Sequence, residues 1–412
     1  MTMKQTQTKL FDFSDAGLDF SSASKDLFPG RFKKMLAEGY NVQTVSSVSI
    51  AGNQVTLTYG GAHGYVADRV LKVDSGALAS LNSGEFYIDS VTTNTVTITI
   101  DAAPGSVSSG FTTRIAPLGW SLEYESGLVQ LYKMKYLDER DCYVRLVFTL
   151  STTGYKNMVT VCTGKTANVG TGEITDAYSY APTKNNTNIV AGFAWGFTAL
   201  GVSSSAASYT HAQGLASYGK GCVVGSKYHF LIMNNGGRED YAGRVQGIIP
   251  QCTHDLEQLD YPLVLGVTIT NPTSTGVITS EITQFGDNDA AMIGAISIAL
   301  GATGSSAQSI DTGLNAAESF YSGDVLGQQV TAALPVVLHE KSTKQFLGYA
   351  IGLYRVNYAS SNKPSYTPQN SPSVTADIDL ESKIILHATF TGRGDTSHRY
   401  FAVPIEEIKI VS

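Results

Sequence analysis

The stretch VSSVSIAGNQVTLTY, Val45 to Tyr59, carries apolar residues at alternate positions on both sides of Ala51-Gly52-Asn53. Val48 and Ile50 precede the turn, and Val55, Leu57 and Tyr59 follow it. A period of two sends successive side chains to opposite faces of a strand. Gly and Asn tolerate the positive φ of a tight connection. The segment therefore predicts a β-hairpin, Val45–Ile50 with Val55–Tyr59.

The same pattern continues outward from this hairpin. Val70–Val73, Phe86–Val91 and Val96–Ile100 read as further strands, with Thr93-Asn94 supplying a turn. Five short strands between Val42 and Ile115 predict a small all-β module, expected as a sandwich. Ala103-Pro104-Gly105 opens a Ser/Gly-rich exit, with a boundary near Arg114. Strands are next expected at Leu128–Tyr132, Tyr143–Leu150, Met158–Cys162, Gly192–Phe197, Val223–Met233, Ala242–Ile249 and Leu263–Thr270. Asn234-Asn235-Gly236-Gly237 predicts a hairpin between Tyr228–Met233 and Tyr241–Ile249. After Asn271-Pro272, strands recur at Val336–His339, Phe346–Tyr354, Ile384–Thr391 and Tyr400–Val411, while Ala290–Leu300 fits a buried strand or a short helix. Ser360–Ser373, with three prolines, reads as an exposed loop.

Only the first 40 residues carry a clear helical signal. Phe28, Phe32, Met35 and Leu36 recur at helical spacing, Pro29 suits the first turn and Gly39 the position past the end. Lys4 to Lys25 is polar with scattered Phe11, Phe13 and Phe20, and reads as an extended arm of the kind a neighbour orders. The expected fold is mainly β, a multidomain β-sandwich architecture with a short N-terminal helix. Its parts are an arm and helix (1–41), an inserted module (42–115), a central sandwich (116–270) and a β-rich remainder (271–412).

Composition agrees with short strands and many turns. Of 412 residues, 15% are charged, against roughly 25% in ordinary soluble domains, and glycine (41) and tyrosine (22) are abundant. Lys+Arg 28 against Asp+Glu 35 gives −7 with no basic block, which argues against nucleic acid as a partner. A 42% hydrophobic content argues against disorder. Met1 to Phe20 lacks the pattern of a secretory signal, and the longest weakly polar stretch, Ala290–Ala302, falls short of the roughly 20 residues a membrane helix needs. Membrane insertion is not expected. Cys142, Cys162, Cys222 and Cys252 are far apart and read as buried free thiols, and Trp120 and Trp195 as core aromatics.

The chemical motifs are incomplete. Thr163-Gly164-Lys165-Thr166 ends like a phosphate loop, but Val159 stands where the first glycine belongs, so a surface turn is expected. Cys252, His254 and Asp255 lack a second ligand pair for zinc. Asp377, Asp379 and Glu381 share one face of a strand, where they can hold calcium or face water. No G-x-G-x-x-G or G-x-S-x-G sequence is present in the right context. Arg393-Gly394-Asp395 reads as a hairpin tip. No catalytic, cofactor-binding or metal residue is assigned, and no cofactor is expected.

A resemblance emerges from the order of segments. The helix ending in Gly39-Tyr40, the small β module with Gly60-Gly61-Ala62-His63-Gly64, and Ala116-Pro117-Leu118-Gly119-Trp120-Ser121 resemble a family of tailed-bacteriophage virion structural proteins. Tyr143-Val144-Arg145-Leu146, Val223 to Phe230, Pro262 to Gly266, Val336 to Glu340 and Leu347 to Tyr354 continue the likeness, and Asp138-Glu139-Arg140-Asp141 departs from it. The resemblance implies a non-enzymatic virion subunit, placed in the tail, tail tip or baseplate, assembled in the host cytoplasm and partnered by its own copies and other virion proteins. Head decoration or a neck protein is the nearest alternative. A host-surface glycan-binding module, with Ser179–Asn188 and exposed tyrosines as the contact, is another.

Overall fold

The computed structural model describes residues 8–21, 26–149, 156–190, 193–198, 210–212, 221–234, 244–267, 290–300, 332–357, 373–377, 382–390 and 398–405. The chain is mainly β, with one short helix and several antiparallel sheets.

Residues 40–115 form a seven-stranded sheet in the order Glu85–Tyr87, Val70–Val73, Thr112–Ile115, Tyr40–Ala51, Gln54–Tyr59, Thr95–Thr99, Ser90–Val91. Its two outer strands are separated in sequence only by Ile88 and Asp89, so the sheet curls until its edges meet. Val55, Leu57, Leu71, Phe86, Val96 and Ile98 fill the inside. The hairpin register Ile50↔Val55 matches the alternation, with Gly52 at φ 61 in the turn. Thr112–Ile115 was not expected as a strand, because Thr-Thr-Arg-Ile lacks an apolar run and is held by pairing on both sides.

The helix explains how this module is inserted. Phe28–Lys33 is α-helical, with Pro29 in its first turn, and Lys34–Glu38 widens into a π turn. The widening frees carbonyls: Met35 O accepts the Leu118 N–H at 2.9 Å and Leu36 O the Trp120 N–H at 3.0 Å. Gly39 ends the turn at φ 75, where a Cβ would lie 2.3 Å from the Ile115 carbonyl oxygen. Tyr40 pairs with Ile115, so the chain leaves for the module and returns from it at one place.

A five-stranded sheet follows, in the order Ala194–Thr198, Lys156–Gly164, Asp141–Thr149, Val129–Lys135, Ser121–Ser126. The largest sheet has thirteen strands and begins with Lys9–Asp12, Gly221–Ser226, His229–Asn234, Arg244–Ile249 and Leu263–Val267. It continues through Ala290–Ile293, Ile296–Leu300, Ala332–Glu340, Phe346–Asn357, His398–Pro404, Ser382–Phe390 and Ser373–Asp377, with Gln251–Thr253 pairing alongside Phe346–Asn357. The line drawn at 270/271 thus falls between strands of one sheet. Val223–Met233 is a hairpin rather than one strand, since Ser226 pairs with His229. His229–Asn234 pairs with Arg244–Ile249 as expected, and the connection 235–243 lies outside the described residues. Ala290–Leu300 is likewise a hairpin, not a helix.

The large sheet curls into a half-barrel, and its first strands are buried on both faces. One face (Val223, Phe230, Ile232, Ile248, Val264) packs against the five-stranded sheet and the helix. The other (Val224, Leu231, Met233, Val245, Leu263) packs against the returning strands through Leu338, Leu353, Phe401 and Val403. Burial on both sides is why Cys222-Val223-Val224 and Phe230 to Met233 read as continuous apolar runs.

Residues 8–21 correct the expectation of an extended arm. Lys9–Asp12 pairs with Gly221–Ser226, and Phe11, Phe13, Leu18 and Phe20 are buried in the chain's own core. Phe20 packs beside Phe28 and Phe197, with ring centroids 5.4 and 6.2 Å away. Scattered phenylalanines in a polar segment were anchors, each worth about 1.5–3 kcal/mol when fully buried.

Candidate functional site

Several of the motifs singled out in the sequence take structural roles. Lys165, in the phosphate-loop-like segment, donates its backbone N–H to Asp176 at 2.9 Å and pairs its Nζ with Asp260 at 3.2 Å. In Gly60–Gly64, His63 is buried; its Nδ1 accepts the Tyr65 N–H at 2.9 Å, so Nε2 carries the proton toward Thr95 O, 3.1 Å away. Tyr65 Oη lies 2.8 Å from Asn41 O, which ties that loop to the start of the module.

The acidic stretch 138–141 is a clasp between sheets. Glu139 pairs with Lys227 at 2.9 Å and accepts the Tyr228 hydroxyl, while Arg140 reaches both oxygens of Asp260 at 2.7 and 2.8 Å. The proposed glycan loop Ser179–Asn188 is also engaged internally. Ser179 donates to Thr163 O, Tyr180 stacks on Phe193 with centroids 3.9 Å apart, and Asn186 takes two bonds from the buried Arg145.

Three cysteines are buried as expected, and burial pushes the thiols of Cys142 and Cys162 up to about 12 and about 11, and that of Cys222 up as well. Cys252 departs from the expectation by being exposed. Trp120 and Trp195 are both in the core, donating Nε1–H to Ser226 O at 2.9 Å and Leu265 O at 2.8 Å. Among the described residues no three His, Cys, Asp or Glu side chains converge as a metal site, and no helix is long and apolar enough to cross a membrane. Asp379, Glu381 and Arg393-Gly394-Asp395 lie outside the described residues; the last falls between Phe390 and His398, which pair.

An exposed aromatic face lies where Gln251–Thr253, Phe346–Asn357 and Ala332–Glu340 run side by side. Cys252 is opposite Tyr349, and Tyr349 is opposite Val337, so one row crosses three strands. A second row brings His254 and His339 to either side of Phe346, with ring centroids 6.2 and 6.1 Å away. Phe346 and Tyr349 meet edge to face at 5.3 Å and stay 44% and 45% exposed.

Residues three apart on a regular strand face opposite ways. Gly348 changes that count: at φ 152, beside a register shift, it turns Phe346 and Tyr349 to one side. A Cβ there would come 1.9 Å from the Cys252 carbonyl oxygen, so only glycine admits the neighbouring strand. At the hairpin tip, Glu340 is held down to about 2 by its hydrogen bonds to Thr343, which fixes the turn beside the aromatics. Chemically, the face offers apolar and aromatic area rimmed by the imidazoles of His254 and His339 and by the exposed Cys252. Alternation alone assigned the strand but hid this face, because a glycine inside a strand marks a bulge without saying which way it turns the chain. Comparison of the chain with protein-family models, with curated proteins and with solved structures finds no match.

Proposed function

We propose that the protein is a non-enzymatic structural subunit of a bacteriophage virion, in the tail, tail tip or baseplate, working through contacts with its own copies and with other virion proteins. The observation that carries this reading is the outward face of Phe346, Tyr349 and Cys252, an aromatic surface presented on a sheet whose first strands are buried on both sides. Exposed aromatic area rimmed by polar groups is characteristic of protein contact sites. The adjacency of Gly39-Tyr40 and Gly119-Trp120 supports it too, because it gives a physical role to the segments on which the sequence resemblance rests. Immunogold electron microscopy of purified particles, with antibody to the recombinant chain, tests the reading. Gold at the tail or its tip is expected; gold on the capsid or neck moves the protein to head decoration or connection, and unlabelled particles overturn the virion reading.

A second reading follows from the same face. Phe346 and Tyr349, flanked by the imidazoles of His254 and His339, combine ring surfaces with hydrogen-bonding edges, as recognition of a host-surface glycan requires. A glycan array discards it if binding by the native chain and by Tyr349→Ala is equal.

A further inference from the structure

We propose that the groove holding residues 8–21 also receives this segment from a second copy of the chain, so that subunits join by exchanging it. The inference rests on the reading of the protein as a subunit that assembles with its own copies, and identifies the contact.

Residues 8–21 are built as a plug. Among the described residues Lys9–Asp12 pairs on one side, along Gly221–Ser226, at the edge of the large sheet. Phe11, Phe13, Leu18 and Phe20 enter the core, and the Phe20 N–H closes the segment on Phe13 O at 2.9 Å. Asp15 reaches Arg69 and Tyr40, Lys9 reaches Glu85 at 2.8 Å, and Gly17 O accepts from Lys34 Nζ.

Every one of those receiving groups is held by elements after residue 26. The groove therefore recognises the segment by its side chains and strand register, whichever chain delivers it. An exchanged pair keeps all of these contacts, which is why swapping an identical element is a low-cost route to association. An empty groove, in contrast, leaves the guanidinium of Arg69 without the carboxylate that compensates it, and takes from Gly221–Ser226 the strand that pairs with it. A copy whose plug has left must be filled by another.

The connection permits the exchange. Phe20 and Phe28, eight positions apart in the sequence, lie with rings 5.4 Å apart. Extended, the same eight residues span roughly 25 Å. Residues 22–25 are Ser-Ala-Ser-Lys, with no large apolar side chain and no proline. Short connections of this kind favour the exchange of elements.

The register supplies the test, because Asp12 lies directly opposite Cys222 and Leu10 opposite Val224. D12C, in full-length chain carrying C252S to remove the exposed thiol, is concentrated, oxidised with diamide and run on a denaturing non-reducing gel. L10C with V224C is the second variant, since D12C also removes the Asp12 bonds to Ser14. Covalent dimers or larger species, at multiples of the 43.8 kDa chain and reversed by reductant, are expected. Links confined to the monomer overturn the exchange. Failure of both pairs to link overturns it as well, because the shared register is then not formed. Monomer links together with gold-labelled particles would remove the exchange and keep the virion reading; dimer links with unlabelled particles would do the reverse.

Discussion

Arg69 and Asp15 form a two-pronged ion pair, Nε to Oδ2 at 2.8 Å and Nη2 to Oδ1 at 2.9 Å, buried where residues 8–21 meet the inserted module. Burial opposes the guanidinium charge, and the Asp15 carboxylate more than offsets it, so the net shift favours the charged form. The Tyr40 hydroxyl adds a third bond at 2.8 Å to the same carboxylate.

Asp15→Ala leaves a charge buried and unpaired, which costs about 3–5 kcal/mol. The double variant Asp15→Leu with Arg69→Met removes both charges and is expected to cost less than Asp15→Ala alone. Urea unfolding of the three proteins decides it, and equal losses would refute the pairing argument.

Arg140 provides the opposite case. Its bidentate contact with Asp260 sits on the surface, with 51% of the Arg140 side chain exposed. Arg140→Ala is expected to cost no more than about 1 kcal/mol, and less in high salt. Unfolding midpoints in low and high sodium chloride check both statements.

Gly39 and Gly52 both have positive φ, yet alanine is expected to act differently at each. At Gly52, with open space around a new Cβ, the cost is the left-handed backbone alone, about 1–2 kcal/mol. At Gly39 the Cβ would also strike the Ile115 carbonyl oxygen at 2.3 Å, in the junction where the module leaves and returns. Gly39→Ala is therefore expected to lose at least twice as much stability as Gly52→Ala in the same urea experiment.

His229 sets a pH dependence. Burial lowers its pKa from 6.5 to about 3, while Nδ1 lies 2.8 Å from Ser226 Oγ. Between those two values the unfolded chain binds a proton that the folded chain does not, so stability is complete above about pH 6.5 and falls as the pH drops toward 3. The slope from this group is about 1.4 kcal/mol per pH unit. His229→Gln should reduce the slope of unfolding free energy between pH 6 and 5 by that amount; an unchanged slope would show that the imidazole is protonated in the fold.

Thiol labelling separates the cysteines. Native protein treated with N-ethylmaleimide should gain one adduct, on Cys252, and four after denaturation, because Cys142, Cys162 and Cys222 are buried. Intact-mass measurement reads the result directly, and prompt labelling at any of the three buried positions would contradict the packing.

Local pattern was enough for much of this fold. The hairpin around Ala51-Gly52-Asn53, the helix with Pro29 and Gly39 at its ends, and most strands followed from periodicity and turn chemistry, which act between residues close in sequence. The two tryptophans were recognisable as core for the same reason. What tertiary structure alone decided depends on residues far apart in sequence. Phe11, Phe13 and Phe20 looked like a polar arm's stray aromatics until Gly221–Ser226 and Phe197 were seen to receive them. Thr112–Ile115 became a strand through its neighbours, and Asp138 to Asp141 a clasp through Lys227 and Asp260. The aromatic face arose because Gly348 lets another strand approach, a steric condition set by Cys252 about a hundred positions earlier. Periodicity specifies which residues seek burial, but the partner that buries each one is chosen by chain topology, and topology is a property of the whole packed chain.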